Sequence, residues 1–390
     1  MFPDGCHFKG AIIVFVLLAL APATVMGQEL ILTPSLAAKE EYNDNIFLSS
    51  GSSVDDFITT LTPSLELSSR TERRNVDLLG GINWLKYALH SGTDAVDYFG
   101  NGSGNFQIDE RLAISGGASY TRDSRPDQLD PVTGLAINSE NRVQSCQAGG
   151  SYMATEKSKL SLSYSFIQQD YSLASLLGSR QHQAAADLSY TLAPQTSLET
   201  TFTFNRQLTD ISKVDNYYAT LGLVYKFREL WSLSVNAGGI YTNSDLFVGG
   251  DYDISTGDWG WVGNLSFIYS GEKLNGTVSF NRNVSPAAGM TGSTETTGGS
   301  VNLGDKFTQE LSGAVTFGYY WNKSNQGQFS VQTIDEQTLE LNCLLHYDFN
   351  KDLALEANYH HVDIDYNVNN TRASQNIFMV RFVMRHMLYM

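Results

Sequence analysis

A chain of 390 residues with 25 basic and 41 acidic side chains has a formal charge of −16, which argues against a nucleic-acid binder. Its 20 Tyr and 20 Phe are too many rings for a disordered chain, and 34 Gly against 8 Pro suit strands and turns. The length allows two or three ordinary soluble domains or one large barrel.

Residues 1–27 have the form of an export signal. Lys9 supplies the positive charge, "AIIVFVLLALA" (11–21) the apolar core, and Gly27 a small residue for cleavage. The apolar run is shorter than the ~20 residues a spanning helix needs. Cys6 precedes that run and is not placed as a lipoprotein anchor. The expected mature chain starts near Gln28 and keeps Cys146 and Cys343. Each lies on the apolar phase of its segment, which reads as two small hydrophobes rather than a bridge.

From residue 28 onward, apolar and polar residues alternate at period two, the mark of a strand whose faces meet different solvents. The segments include "FITTLTPSLELS" from 57, "NVDLLGGINWLKYAL" from 75, "LAISGGASYT" from 112, "KLSLSYSFIQQDY" from 159, "AAADLSYTLA" from 184 and "SLETTFTFN" from 197. They continue with "YYATLGLVYKF" from 217, "WSLSVNAGGIY" from 231, "WVGNLSFIYS" from 261, "LNGTVSFN" from 274, "LSGAVTFGYYW" from 311, "TLELNCLLHYDF" from 338, "DLALEANYHH" from 352 and a C-terminal "NIFMVRFVMRHMLYM". Short turns such as "TERR" (71–74), "APQT" (193–196) and "FNKD" (349–352) alternate with longer polar loops at 124–142, 243–258 and 323–336.

That sorting of connections predicts an all-β fold: a transmembrane antiparallel up-and-down β-barrel over 28–390, with 18 strands in a range of 16 to 20 and both termini periplasmic. Rings end the apolar phase at Trp231 and Tyr241, Tyr225 and Phe227, Tyr319 and Trp321, Tyr347 and Phe349, as lipid-interface girdles do. The opposite phase is small or polar, as at Ser232, Ser234 and Asn236, so lipid outside and water inside is the simpler reading. The last segment holds Phe378, Val380, Phe382, Met384, Leu388 and Met390 in phase, with Tyr389 out of phase and His386 interrupting. It resembles the C-terminal signal read by the outer-membrane assembly machinery.

The stretch "LTPSLAAKEEYNDNIFLSS" (32–50) followed by "TPSLELSSRTERRNVDLLGGINWLKY" resembles the start of the outer-membrane β-barrel porins of the second type, a family associated with exopolysaccharide and exosortase loci. The features that carry it are Glu41, Tyr42, Asp44, Asn45 and Phe47, the "TPSLEL" strand, a basic turn and a strand ending in Tyr87. The late "YHHVDIDYNVNNTRASQNIFMVRF" fits the family's closing hairpin. The resemblance implies an outer-membrane location and a part in polysaccharide export or surface assembly. It implies as partners outer-membrane lipid and lipopolysaccharide, the assembly machinery and polysaccharide-export components.

If the polar phase faces the lumen, the pore-lining candidates are Glu66, Asp77, Arg111, Glu199, Lys226, Arg228, Glu340, Glu356, Arg381 and Arg385. Rings of charge set ion selectivity or bind sugar groups, while paired charges stiffen the wall; both remain open. Arg381 and Arg385 share one face with Glu356 one strand back and Glu340 two, either as cross-strand ion pairs or as a strip for anionic sugar. Asp55, Asp56, Asp94, Asp97, Asp127, Asp130, Asp245, Asp251, Asp253 and Asp258 are expected in outer loops as solvated surface, and "EYNDN" (41–45) as the first hairpin turn. "DYDISTGD" lacks the spacing of a calcium loop, so no metal is expected.

His346 and His360 lie on the polar phase near Glu340 and Glu356, but no motif fixes a catalytic arrangement, so neither catalysis nor a cofactor is expected. Two main functions stay open: a channel for polar solutes, with an exopolysaccharide as its family-implied cargo, and a plugged structural or docking barrel for surface assembly. An outer-membrane hydrolase is the third. An acidic exterior suits a neutral glycan or cations better than an anionic polymer.

Overall fold

The computed structural model describes residues 29–129, 136–137, 139–248, 251–286, 292–324 and 333–389. The expected signal segment and Asp130 lie outside the described residues, as do the side chains of Asp251 and Asp253. No helix among the described residues is long and apolar enough to cross a membrane, and the crossing is made by strands.

The strands in chain order are β1 (Glu29–Asn43), β2 (Asp56–Thr71), β3 (Arg74–Tyr87), β4 (Ala95–Gln107) and β5 (Leu112–Asp123). A two-residue pair follows, β6 (Gln128–Leu129) with β7 (Ala136–Ile137). Then come β8 (Asn141–Met153), β9 (Ser158–Tyr171), β10 (Ser179–Ala193), β11 (Thr196–Leu208), β12 (Ser212–Arg228) and β13 (Trp231–Val248). The rest are β14 (Asp251–Ser270), β15 (Leu274–Pro286), β16 (Ser293–Lys306), β17 (Leu311–Ser324), β18 (Ile334–Asp348), β19 (Leu353–Tyr366) and β20 (Thr371–Arg385), with β21 (Leu388–Tyr389) as a short continuation.

Leaving out β6, β7 and β21, 18 strands pair antiparallel with their chain neighbours. The sheet closes where β1 pairs with both β2 and β20, from Ser35 opposite Arg385 to Asn43 opposite Ile377. Closure gives every wall strand two partners and leaves no unpaired backbone edge in lipid. The first and last described residues, Glu29 and Tyr389, lie at the end of the short turns, in keeping with the loop sorting.

Within the membrane band most rings and aliphatics of each strand lie on the outer face. Phe57, Leu65, Leu162, Phe202, Leu221, Val278, Phe317 and Val380 are exposed on the outer wall although they are large and apolar, the inverse of a soluble protein. Rings mark both rims of this band. Tyr241 and Trp259 lie 5.0 Å apart towards the loops, and Trp231 and Tyr269 4.5 Å apart towards the turns. Cys146 and Cys343 sit on this outward phase in different strands, with no disulfide between them.

The stretch at 243–258, expected as a loop, is instead a hairpin. β13 and β14 stay paired from Trp231 opposite Tyr269 up to Val248 opposite Asp251. Above the membrane both faces of a strand meet water, so the apolar phase disappears while the backbone ladder goes on satisfying its donors and acceptors. Among the described residues β14 pairs with β15 only from Gly263 to Ser270, so the hairpin rises beyond its β15 neighbour.

Candidate functional site: the lumen and its outer mouth

Facing inward, the wall is divided into two chemistries. The β18–β19–β20–β1 arc carries ionisable groups in cross-strand pairs. Near the turn end, Arg385 donates to Asp348 at 3.3 Å and to the Lys351 carbonyl at 3.0 Å. Above it, Glu356 meets both Arg381 at 3.3 Å and the His346 ring at 3.3 Å, and His346 also lies 3.2 Å from Asp348. Glu340 pairs with His360 at 2.9 Å. Register explains the partners, since Glu356 stands opposite Arg381 and His346, whereas Glu340 stands opposite Val362 and turns to the neighbouring His360.

The opposite arc, β8 to β17, is largely neutral through its outer half, where Asp258, opposite Thr242, is the inward carboxylate. Its inner face shows hydroxyls and carboxamides such as Gln183, Asn205, Asn216, Thr242 and Asn322, several bonded to one another. Thr242 donates to Asn216 at 2.7 Å and Thr296 to Asn322 at 2.7 Å. The inward ionised groups of this arc concentrate towards the turns: Lys159, Glu199, Lys226, Arg228 and Lys306, with Asp187 higher and accepting from Thr201 at 2.7 Å.

Eight of the sequence-predicted lining residues therefore lie on the inner face within wall strands below the mouth: Glu66, Asp77, Glu199, Lys226, Glu340, Glu356, Arg381 and Arg385. Arg228 ends β12 at the rim. Arg111 does not line the lumen. It lies in the turn between β4 and β5, where the Asp109 carboxylate accepts from the backbone amides of Arg111 and Leu112 and is thereby held below the usual carboxylate range. Glu66 and Asp77 are linked through Ser68, whose hydroxyl lies 2.6 Å from Asp77 and 3.5 Å from Glu66.

The outer mouth is packed. Ile46 and Leu48, from the connection after β1, are each 1% exposed. Ile46 packs on Ile58, Leu85 and Tyr87 of the inner wall, and Leu48 on Val362, Ile364 and Ala373. Leu48 takes a positive φ of 47°, a strained choice for a leucine that its packing sustains. Across the mouth comes the connection between β5 and β8, whose Leu129 packs on the Leu48 cluster. Burial of inward residues on the far side, such as Gln207, Asn216, Thr242, Asn322 and Thr338, completes a ring of covered wall.

A buried polar network fixes this crossing loop to the β1–β20 seam. Arg125 donates to Glu41 at 2.6 and 3.1 Å and to Asp127 at 2.8 and 3.0 Å. Burial opposes the charge on Arg125, but the two facing carboxylates hold its pKa above the ordinary guanidinium value. Lys39 adds a second cation to Glu41 at 2.7 Å. Asn43 and Gln375 both donate to Asp127, at 2.8 and 2.9 Å, and Gln375 also donates to the Asn45 carbonyl at 2.7 Å. Asn45 itself donates to the carbonyls of Ser49 and Ser374 and accepts from the Ser49 amide.

Two expectations are corrected here. "EYNDN" is more than a hairpin turn: Glu41 and Asn43 close β1, and with Asn45 they form the seat of a second loop. Asp56, Asp97, Asp127 and Asp245 are not solvated surface but buried; Asp56, Asp97 and Asp245 belong to β2, β4 and β13, and Asp127 to the crossing loop. Arg125, Asp127, Asn43 and Gln375 were not singled out as lumen residues. The sequence signal was present in the apolar run Ile46-Phe47-Leu48 within a supposedly solvated loop, which needs something to pack against.

At the outer rim, facing away from the lumen, Glu140 accepts from Arg122 at 3.0 Å and Arg142 at 2.9 Å, and these hydrogen bonds hold its pKa down to about 2. The Arg122 guanidinium lies 5.8 Å from the Tyr98 ring centre, and that of Arg282 4.5 Å from Trp261. Among the described residues no three of His, Cys, Asp and Glu gather as a metal site.

The sequence model of the family described as "Putative beta-barrel porin 2" matches residues 26–136. No curated protein matches the chain. Solved structures with a similar barrel include OccAB4 of Acinetobacter baumannii, 12% identical with a TM-score of 0.46, covering 94% of this chain and 100% of that one. They also include Pseudomonas aeruginosa OpdK with vanillate, 11% identical with a TM-score of 0.47 and covering 91% and 99%. Pseudomonas aeruginosa OccK5 (OpdH) is 11% identical with a TM-score of 0.47, covering 93% and 99%. At these identities and scores they speak to no property of this chain beyond what its own strands show. The closed wall of 18 strands and its lipid-facing band make the chain a β-barrel of the outer membrane, and its residues 26–136 are similar to that porin family.

Proposed function

We propose that the barrel is a gated channel for uncharged polar solutes, a neutral glycan chain being the cargo that best suits its wall. The observation behind this reading is the segregation of the lumen. Between β8 and β17 a moving solute would meet hydroxyls and carboxamides in its outer half, which exchange hydrogen bonds with other hydroxyls at little net cost. The ionised groups of the opposite arc are largely committed to one another, so they offer little attraction to an ionic cargo. The gate is the pair of connections packed across the mouth, after β1 and after β5.

The test is conductance of the refolded barrel in a planar bilayer together with swelling of liposomes in neutral sugars. Small or rare openings in the wild type, and large ones when the crossing loop is released, support a gated channel. The packed mouth also favours a second reading, a closed barrel that docks surface-assembly components. Silent bilayers from folded barrels with both loops released would favour that reading and refute the channel.

A further inference from the structure

We infer that the outer half of the neutral wall holds a binding site for an uncharged, polyhydroxylated ligand of the sugar class, gripped by carboxamides. A recess of about 650 Å³ opens there, lined in part by Asn141, Gln183, Asn205, Gln207, Asn236 and Asn281. The strand register aligns these amides: Gln183 stands opposite Asn205, and Asn236, Asn264 and Asn281 form one row across three strands. Arg282 is the one ionised residue among the described residues lining the recess, and its guanidinium turns to the outer face, where it pairs with Glu295 at 2.5 Å and lies over Trp261.

The second observation is a shortage of donors. Asn141 Oδ1, Asn205 Oδ1 and Gln207 Oε1 have no hydrogen-bond partner, although these side chains are only 8%, 4% and 3% exposed. Buried carboxamide oxygens are normally satisfied, so three orphaned acceptors on residues that line one recess point to a ligand rich in donors. A carboxamide presents an acceptor and two donors on one plane, which matches neighbouring hydroxyls of a sugar without requiring charge. An ionic ligand would lose hydration and gain no counter-charge there. The Tyr218 hydroxyl donates to the Val284 carbonyl at 2.8 Å, which fixes an aromatic ring in the lining. None of these residues is among the charged positions picked out from the sequence.

The inference rests on the lumen being a solute path, and the experiment separates the two. Refolded full-length barrel in detergent is titrated by calorimetry with maltohexaose, with laminarihexaose and with hexagalacturonate, and the same preparation is assayed for conductance. Saturable binding of at least one neutral hexasaccharide is expected, with weaker binding of the galacturonate. The variant N205L/Q207L should weaken neutral-sugar binding by about tenfold or more, the scale of one lost hydrogen-bonding group. The near-isosteric Q207M, which removes the orphaned Oε1 and shows normal heat-modifiable gel mobility, should weaken it as well, so a folding defect cannot stand in for the result. No saturable binding of either neutral sugar, equal or tighter binding of the galacturonate, or binding unchanged in both variants overturns the site. Binding without conductance keeps the site and removes passage; conductance without binding does the reverse.

Discussion

Replacing Arg125 by Ala isolates the lock on the outer mouth. The guanidinium makes four charge-assisted hydrogen bonds to Glu41 and Asp127, in a setting where Glu41 is 3% and Asp127 4% exposed. Removing one partner of a buried ion pair costs about 3–5 kcal/mol when the remaining charge is stranded. Here the stranding is partial, since Lys39 still holds Glu41 and Asn43 and Gln375 still donate to Asp127. A loss of about 2–3 kcal/mol in loop docking is therefore expected, a shift of about 30- to 150-fold in the docked-to-undocked ratio. In planar bilayers R125A should spend correspondingly more time open than the wild type. R125K keeps the charge but loses the two-pronged contact, and should fall between the two. Wild-type conductance and wild-type hydrogen exchange in residues 124–129 of correctly folded R125A would refute the lock.

Three further outcomes follow from other parts of the barrel. Val380 lies on the lipid face of β20, 53% exposed, and V380R should cost about 2–4 kcal/mol in urea-detected folding into bilayers, the penalty for a cation near the midplane. I46A should loosen the loop after β1 by about 2–4 kcal/mol through its lost packing on Ile58, Leu85 and Tyr87, read as faster amide exchange at 44–49 with the wall strands unchanged. Glu140 is ionised in the fold down to about 2, against an ordinary value of 4.5. A depressed carboxyl stabilises fully above its ordinary value and loses that contribution as pH falls through the folded one. Rim stability should therefore drop between about pH 4.5 and 2 in the wild type and show less of that drop in E140Q, measured by exchange in residues 139–142.

The wall was legible because lipid enforces period two so strictly. Leu160, Leu162 and Tyr164 must all point outward, so a strand such as β9 announces both its type and its orientation. Strand number followed from the alternation of short turns with long connections. The ion pair of Glu356 with Arg381 was foreseeable because residues directly opposite on adjacent strands must meet. Where strands leave the membrane the pattern loses its cause, which is why the β13–β14 hairpin read as a loop. The neutral wall was legible only strand by strand, for a different reason. Serine, threonine, asparagine and glutamine give no motif singly, and Asn236, Asn264 and Asn281 become a row only when three strands are set in register.

Residues 26–136, the part that matches a family model, also hold both halves of the lock on the mouth. That stretch contains the seat, Glu41 with Asn43 and Asn45, and also the loop residues Arg125 and Asp127 that occupy it. An outward-facing strand needs only apolar character, which many sequences supply. An acceptor that must receive two guanidinium nitrogens from a residue 84 positions away tolerates far fewer substitutions. Of the remaining chain, Gln375 on the closing strand β20 donates to Asp127 of the crossing loop, and the Ser374 carbonyl beside it accepts from Asn45 of the seat. The crossing loop is therefore tied to the seam where the barrel closes, and a loop that docks there can reach its full set of partners only once β20 has paired with β1. Closure of the wall and closure of the mouth are thereby coupled. A barrel refolded with the Q375A substitution should close its wall normally by gel mobility yet protect residues 124–129 from exchange less than the wild type. Equal protection would separate the two events.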